Sequence, residues 1–297
     1  MVSCRNPTGK LPKWLALVTP GNHSRADAAK VPVALMPAKP PADDRSLHSC
    51  VAPVFRWNNT DRLVEWIELN RLLGVQNFTF YLHSVSRQVA RVLEFYRSRG
   101  LVTLVPWKLP SVIPVTTKSL WPPSATHLHY GGQIGAYNDC LLRNMHRAKW
   151  IMITDLDEMI VPRLGDQDSL PVILQHLKQQ NSVTFLFNQF AFDIKPETRA
   201  NASELFFPSF NRRKAVTDAN LCKAIHLATG IEKVGVHNLF QSSPAYRAWG
   251  SDRVPSDVAR LHHYRKVEAS VQDTAMLRFA DALLQRFKAR KVELGLT

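Results

Sequence analysis

The sequence predicts an α/β fold with a mostly parallel central sheet flanked by helices. Two observations lead there. Short apolar runs and amphipathic stretches alternate from Cys50 to about residue 205, and strands separated by helices of about 10–15 residues imply βαβ crossovers. The chain, at 297 residues with 45% hydrophobic content, can also bury a substantial core in one large domain or two small ones.

The elements follow in order. Residues 1–49 are rich in Pro, Ala and Lys, as in "KVPVALMPAKPPADDR", and sustain no period of 2 or 3.6; they read as a stem or linker before a domain over 50–297. "CVAPVF" reads as a buried strand. The next stretch is a helix, with Leu63, Trp66, Ile67 and Leu73 near one face, Thr60 as N-cap, Asp61 in the first turn and Gly74 as the stop. "NFTFYL" is a strand. "SRQVARVLEFYRSRG" is a helix burying Val89, Val92, Leu93 and Tyr96, and "LVTLVPW" is another strand. After a Pro-rich loop from Pro110 to Pro123, "QIGAYNDCLLRNMHRA" reads as a helix with Ile134, Tyr137, Leu141, Leu142 and Met145 inward. "KWIMIT" is a strand ending at Asp155, and a helix near "LPVILQHLKQQ" leads to the strand "SVTFLFN". Beyond about residue 205 the periodicity weakens, until a C-terminal helix carries a modest stripe of Met276, Phe279, Ala280 and Leu283.

The formal net charge of +14 attracts anions: nucleic acid, an anionic membrane surface or nucleotide phosphates. Its Lys and Arg are scattered, without zinc-finger spacing, an RNP-like aromatic signature or a long basic helix, so no nucleic-acid partner is expected. Cys4, Cys50, Cys140 and Cys222 lack C-x-x-C spacing, which argues against zinc and fits either buried thiols or one or two disulfides. Acceptor sequons at Asn22, Asn58, Asn77 and Asn201 lean toward the secretory pathway. No apolar stretch approaches the roughly 18 residues of a membrane span, and the N-terminus lacks a signal-peptide core. Either the chain is cytoplasmic or the start of the gene is missing from it.

The chemistry concentrates in "WIMITDLDEMIVP", residues 150–162, where Asp155, Asp157 and Glu158 end an apolar run. Ligands of open α/β sheets bind beyond the carboxyl ends of strands. In extended chain, residues i and i+2 point the same way, so Asp155 and Asp157 can converge while Leu156 turns into the core. Convergent carboxylates repel, and a hard divalent cation removes that cost. A cation beside a basic surface suggests a diphosphate ligand. The same two aspartates also fit a turn or a helix cap. An aspartate-nucleophile phosphatase is disfavoured, because its motif usually opens the domain and carries Thr or Val where Met159 stands.

Several blocks in order, "LVEWIELNRLLGVQNFTFYL", "VLEFYRSRGLVTLVPW", "GQIGAYNDCLLRNMHRAKWIMITDLDEMIVP", "KAIHLATGIEKVGVH" and "ARLHHYR", resemble glycosyltransferase family 92. The resemblance implies a GT-A-type fold, with 50–297 as the catalytic domain. It implies a manganese or magnesium ion, UDP-galactose or a related nucleotide sugar as donor, and inverting transfer to a glycan on a glycoprotein or glycolipid. It also implies a type II membrane protein of the Golgi lumen, attached through an N-terminal anchor that this sequence lacks.

Carried onto this sequence, Asp155 and Asp157 match the D-x-D, with Asp157 as metal ligand and Asp155 touching metal or ribose. His263, then His237, are candidates to complete the metal shell. Lys223 and Arg265 are candidates for the diphosphate, Arg56 for the nucleotide, and Gln133 and Asn138 for the donor site. Asp193, Glu204 and Asp218 are candidates for the base that takes the acceptor's proton. The loop from Tyr81 to Gln88 departs from the polar and acidic pattern of many relatives, which bears on donor identity. The alternatives are an inactive relative that binds glycans or phosphorylated ligands, a metal-dependent phosphohydrolase and a nucleic-acid binder.

Overall fold

The computed structural model describes residue 43, residues 45–109, 128–165, 169–177, 181–200 and 204–296, and three short strand segments outside these. The chain divides into two units, Met1–Ala38 and Lys39–Thr297. The first contains an antiparallel pair, Trp14–Ala16 with Lys30–Pro32. The Pro-rich loop after Pro110 lies almost wholly outside the described residues.

The second unit opens with β1 (Leu47–Val51), α1 (Thr60–Leu72), β2 (Asn77–Leu82), α2 (Arg87–Ser98) and β3 (Val102–Pro106). It continues with α3 (Gln133–Asn144), β4 (Trp150–Thr154), β5 (Glu158–Pro162), α4 (Leu170–Leu177) and β6 (Ser182–Asp193). The stretch that lacked periodicity folds into seven short strands: β7 (Arg212–Arg213), β8 (Asp218–Leu227), β9 (Ile231–Val234), β10 (Leu239–Ser242), β11 (Gly250–Val254), β12 (Ala259–Arg265) and β13 (Val271–Gln272). Helix α5 (Ala280–Leu294) follows.

Strands β3, β2, β1 and β4 pair in parallel, as the crossovers predict. Then β8 enters antiparallel to both β4 and β6. Along β6 run β11 and then β12 in parallel, and β5 pairs antiparallel with β12. The expected α/β sheet with flanking helices is therefore present, parallel in its first half and mixed in its second.

Local differences have local causes. The first strand starts at Leu47 rather than Cys50 and ends at Val51, before Pro53, whose missing N–H cannot join a ladder; isolated bridges from Val54 to Leu82 and from Trp57 to Val85 follow. The N-cap of α1 is Asn59, one residue before the expected Thr60, because its amide oxygen accepts from Arg62 N–H at 2.8 Å. Gly74 does end α1: its φ is +97°, and a Cβ there would sit 2.6 Å from the Pro171 ring. Helix α1 buries Glu65, Glu68 and Asn70 as well as its apolar face: Glu65 accepts from the Phe206 and Phe207 N–H groups, Asn70 donates to the Trp66 carbonyl, and Glu68 faces α5. Glu68 is met there by Arg71 at 3.0 Å, the Tyr96 hydroxyl at 2.9 Å and Arg290 at 3.5 Å.

In α3, Ile134 and Leu142 face outward rather than inward. The rotation of this helix is set by Cys140, bonded to Cys50 of β1, and by Tyr137, bonded to Asp155. Both sulfurs belong to buried residues, and the bridge spans 90 residues of chain. Replacing both cysteines by serine is expected to cost about 2–5 kcal/mol, read as a lower urea midpoint in oxidised protein and a smaller difference after reduction. Cys222 is a free, buried thiol.

The expectation of a type II Golgi membrane protein is corrected. Among the described residues no helix is long and apolar enough to cross a membrane. The C-terminal helix, at 15 residues, spends its apolar side chains Leu283 and Phe287 on the core.

Candidate active site

The acidic cluster occupies the turn from β4 to β5. Leu156 turns into the core as the alternation requires, and the carboxylates on either side of it take different surroundings. The turn is closed by Glu158 N–H donating to the Asp155 carbonyl at 3.2 Å and fixed by Tyr264 N–H donating to the Asp157 carbonyl at 2.9 Å.

Asp155 is saturated. Its Oδ1 accepts from the Tyr137 hydroxyl at 2.9 Å and from Gln133 Nε2 at 3.1 Å, two groups one turn apart on α3. Its Oδ2 accepts from Lys223 Nζ at 2.8 Å. Lys223 comes from β8, is 1% exposed at its side chain, and also pairs with Glu158 at 3.3 Å. Burial opposes the lysine's charge, yet the two carboxylates hold its pKa well above the usual range. Burial would raise Asp155, but Lys223 and Tyr137 draw it below the ordinary carboxylate value. Glu158 moves the other way: burial and the Asp155 charge outweigh Lys223 and push it up to about 7.

Asp157 is open, with 45% of its side chain exposed. Its Oδ2 lies 3.2 Å from His263 Nε2. Register explains the meeting, because β12 pairs with β5 so that His263 stands opposite Glu158. The other ring nitrogen, Nδ1, donates to Gln189 Oε1 at 2.8 Å. Burial would lower the His263 pKa, but its bond to Asp157 and the Glu158 charge raise it. His237 donates from Nδ1 to the Cys222 carbonyl at 2.7 Å, while the Cys222 thiol donates to the His237 carbonyl. That tautomer leaves Nε2 with its lone pair, and burial with the Lys223 charge keeps the ring neutral.

These groups surround a cavity of about 890 Å³, within the size range of small-molecule sites. Of the residues singled out from sequence, Gln133, Asp155, Asp157, Lys223, His237, His263 and Arg265 line it. Glu158 and Gln189 line it too. The turn offered no clue to Gln189, which reaches the site only through β6 pairing with β12.

Other expected residues stand elsewhere. Arg56 is exposed, in a left-handed backbone conformation with φ of +50°, and its guanidinium sits over Phe55. Asn138 ties α3 to β9 through both directions of bonding with the Val234 backbone. Asp193 is buried and accepts from the Lys195 and Val267 backbones. Glu204 pairs with Lys288 on the surface at 3.0 Å. Neither of these base candidates, Asp193 or Glu204, lines the cavity. The side chain of Asp218 lies outside the described residues. No residue from Tyr81 to Gln88 lines the cavity, and the Tyr81 hydroxyl donates to Asp139 at 2.6 Å instead.

Among the described residues no three His, Cys, Asp or Glu side chains already form a metal cage. The donor set nonetheless fits a cation that takes most of its ligands from outside the protein. Asp157 offers an open carboxylate, His263 Nε2 stands beside it, and His237 keeps a lone pair on the cavity wall. Magnesium-like sites are commonly held by one or two carboxylates plus substrate phosphates and water. Asp155, by contrast, already accepts from three protein donors, Gln133, Tyr137 and Lys223.

A match to the Glycosyltransferase family 92 model covers residues 45–294. The chain belongs to glycosyltransferase family 92. Its sheet and flanking helices agree with the GT-A-type fold that the resemblance implied. Among curated family 92 relatives, one Caenorhabditis elegans protein is 24% identical over 155 residues, 52% of this chain and 28% of its own length. The Caenorhabditis elegans Beta-1,4-galactosyltransferase galt-1 is 30% identical over 122 residues, 40% of this chain and 26% of its own. The chain thus spans about a quarter of the length of the curated relatives it matches. Among solved structures, S. aureus TarS 1-349 in complex with UDP is similar at a TM-score of 0.39 and 8% identity, over 83% of this chain and 65% of that one.

Proposed function

We propose that this family 92 chain transfers a hexose from a nucleotide diphosphosugar to a glycan hydroxyl. The observation that carries the reading is the open Asp157 carboxylate beside His263, in a cavity that Arg265 also lines, at the carboxyl end of β4. The donor diphosphate lies in that cavity, its negative charge met by Arg265. A manganese or magnesium ion would be held by Asp157 and His263, with His237 in reach of the same cavity. When bound, it supplies positive charge to the diphosphate as it leaves.

The protein's own part is orientation. Lys223 balances the charge of Asp155 and burial holds Glu158 partly protonated, so that Asp157 presents most of the acidic turn's charge to the ligand. Gln189 fixes the His263 ring and directs Nε2 toward Asp157. UDP-galactose is the proposed donor, on the similarity to galt-1 over part of the chain and on the family resemblance. Transfer with inversion and a glycan acceptor follow from the same resemblance.

UDP release from a panel of UDP-sugars, with manganese and with EDTA, tests the reading. Release from one donor should require the metal and fall by about 100-fold or more in Asp157→Ala. Release that is unchanged in Asp157→Ala, or indifferent to EDTA, would sink the metal seat. Unchanged Asp157→Ala stability should accompany the loss, because that carboxylate is largely solvated.

A further inference from the structure

We propose that the acceptor side of this site takes a saccharide bearing an anionic group, a carboxylate or a sulfate, and that Lys214 is its contact. The inference rests on the transferase reading above.

A second cavity of about 500 Å³ adjoins the first and shares Gln189, Leu221 and Arg265 with it. An acceptor must approach the donor from a neighbouring space, and this cavity supplies one. Two cations, Lys214 and Arg265, line it, and among the described residues no carboxylate does. Neither side chain has a hydrogen-bond or ion-pair partner among the described residues. Other cations on or beside strands of this sheet are engaged: Arg213 on Asp273, Lys195 on Glu268 and Lys223 on Asp155.

Lys214 is also held in place. Its N–H donates to the Ala191 carbonyl at 2.9 Å, and the Thr217 hydroxyl donates to the Gln189 carbonyl at 2.7 Å. The segment is thus pinned to β6 at both ends, with the lysine beside the cavity. Val216 is 78% exposed on the same rim, and Ala191 and Val267 add apolar wall on which the C–H face of a sugar can rest. Arg265 faces both cavities and serves the donor diphosphate; Lys214 lines only the second, so its counter-ion belongs to the acceptor.

Calorimetry of the full chain with UDP and manganese present, at low salt, tests this with lactose, 3′-sulfolactose and 3′-sialyllactose. Wild type should bind at least one anionic saccharide about three- to fivefold more tightly than lactose, the range of an exposed ion pair. Lys214→Gln should abolish that difference and leave lactose and UDP binding unchanged, and added salt should shrink it. A preference for the sulfated or the sialylated sugar identifies the anion. Equal binding of all three by wild type, or a preference that survives in Lys214→Gln, overturns the proposal. Failure of UDP itself to bind would instead count against the transferase reading, and the same titrations report it separately.

Discussion

Replacing Lys223 with methionine should cost about 3 kcal/mol at pH 8, because it leaves the buried Glu158 and the half-buried Asp155 without their cation. The loss should depend on pH, and its sign can be worked out. Glu158 in the wild type is raised from its ordinary 4.5 to about 7. A folded state that holds the proton more tightly than the unfolded chain loses stability as pH rises between those values. Removing the lysine raises the folded value further, so the penalty extends to higher pH. The variant should therefore lie closest to wild type near pH 5 and furthest from it near pH 8, in urea midpoints taken across that range. A constant gap would mean that Lys223 contributes packing rather than charge. Donor-dependent UDP release should fall as well, since Asp155 then carries an uncompensated charge beside the diphosphate.

Asp273→Asn is the second large effect. This side chain, 1% exposed, accepts from Arg163 at 2.9 Å, Arg213 at 3.0 Å and Arg260 at 2.8 Å. The three arginines come from the end of β5, from β7 and from β12, so one carboxylate ties together strands far apart in sequence. Arg213 and Arg260 also lie over the Phe190 ring at 4.8 and 4.6 Å, which leaves them little freedom to move into water. Asparagine would face three guanidiniums with a neutral oxygen, at a cost of about 3–5 kcal/mol at pH 7. Burial alone would raise the Asp273 pKa, but His262 and Arg163 outweigh it and hold it well below 3.8. A depressed carboxylate stabilises the fold above its unfolded value and loses that contribution as pH falls below it. The gap between wild type and Asp273→Asn should then narrow progressively below about pH 4. A gap that persists in acid would assign the cost to geometry instead of charge.

Features set by neighbours along the chain were legible before any fold was known. The alternation of strands and helices up to β6, the stop at Gly74 and the strand end at Asp155 each follow from residues within one or two turns. So does the outward facing of Asp157 around a buried Leu156. The N-cap was misplaced by only one residue, since Asn59 and Thr60 both suit the position and only the Arg62 bond separates them. What could not be read are the partners that give the acidic turn its chemistry. Lys223 reaches Asp155 across 68 residues, and His263 reaches Asp157 across 106. Both arrive on β8 and β12, strands of a stretch whose sequence follows no sustained period, because their surroundings change along their length. A resemblance marked them as site residues without saying which carboxylate each would meet. The sequence by itself determined that an acidic turn ends a parallel strand. Tertiary structure decided that Lys223 neutralises one half of that turn while His263 and the cavity leave Asp157 open, because that division depends on strand register, and register is fixed only when distant segments pack.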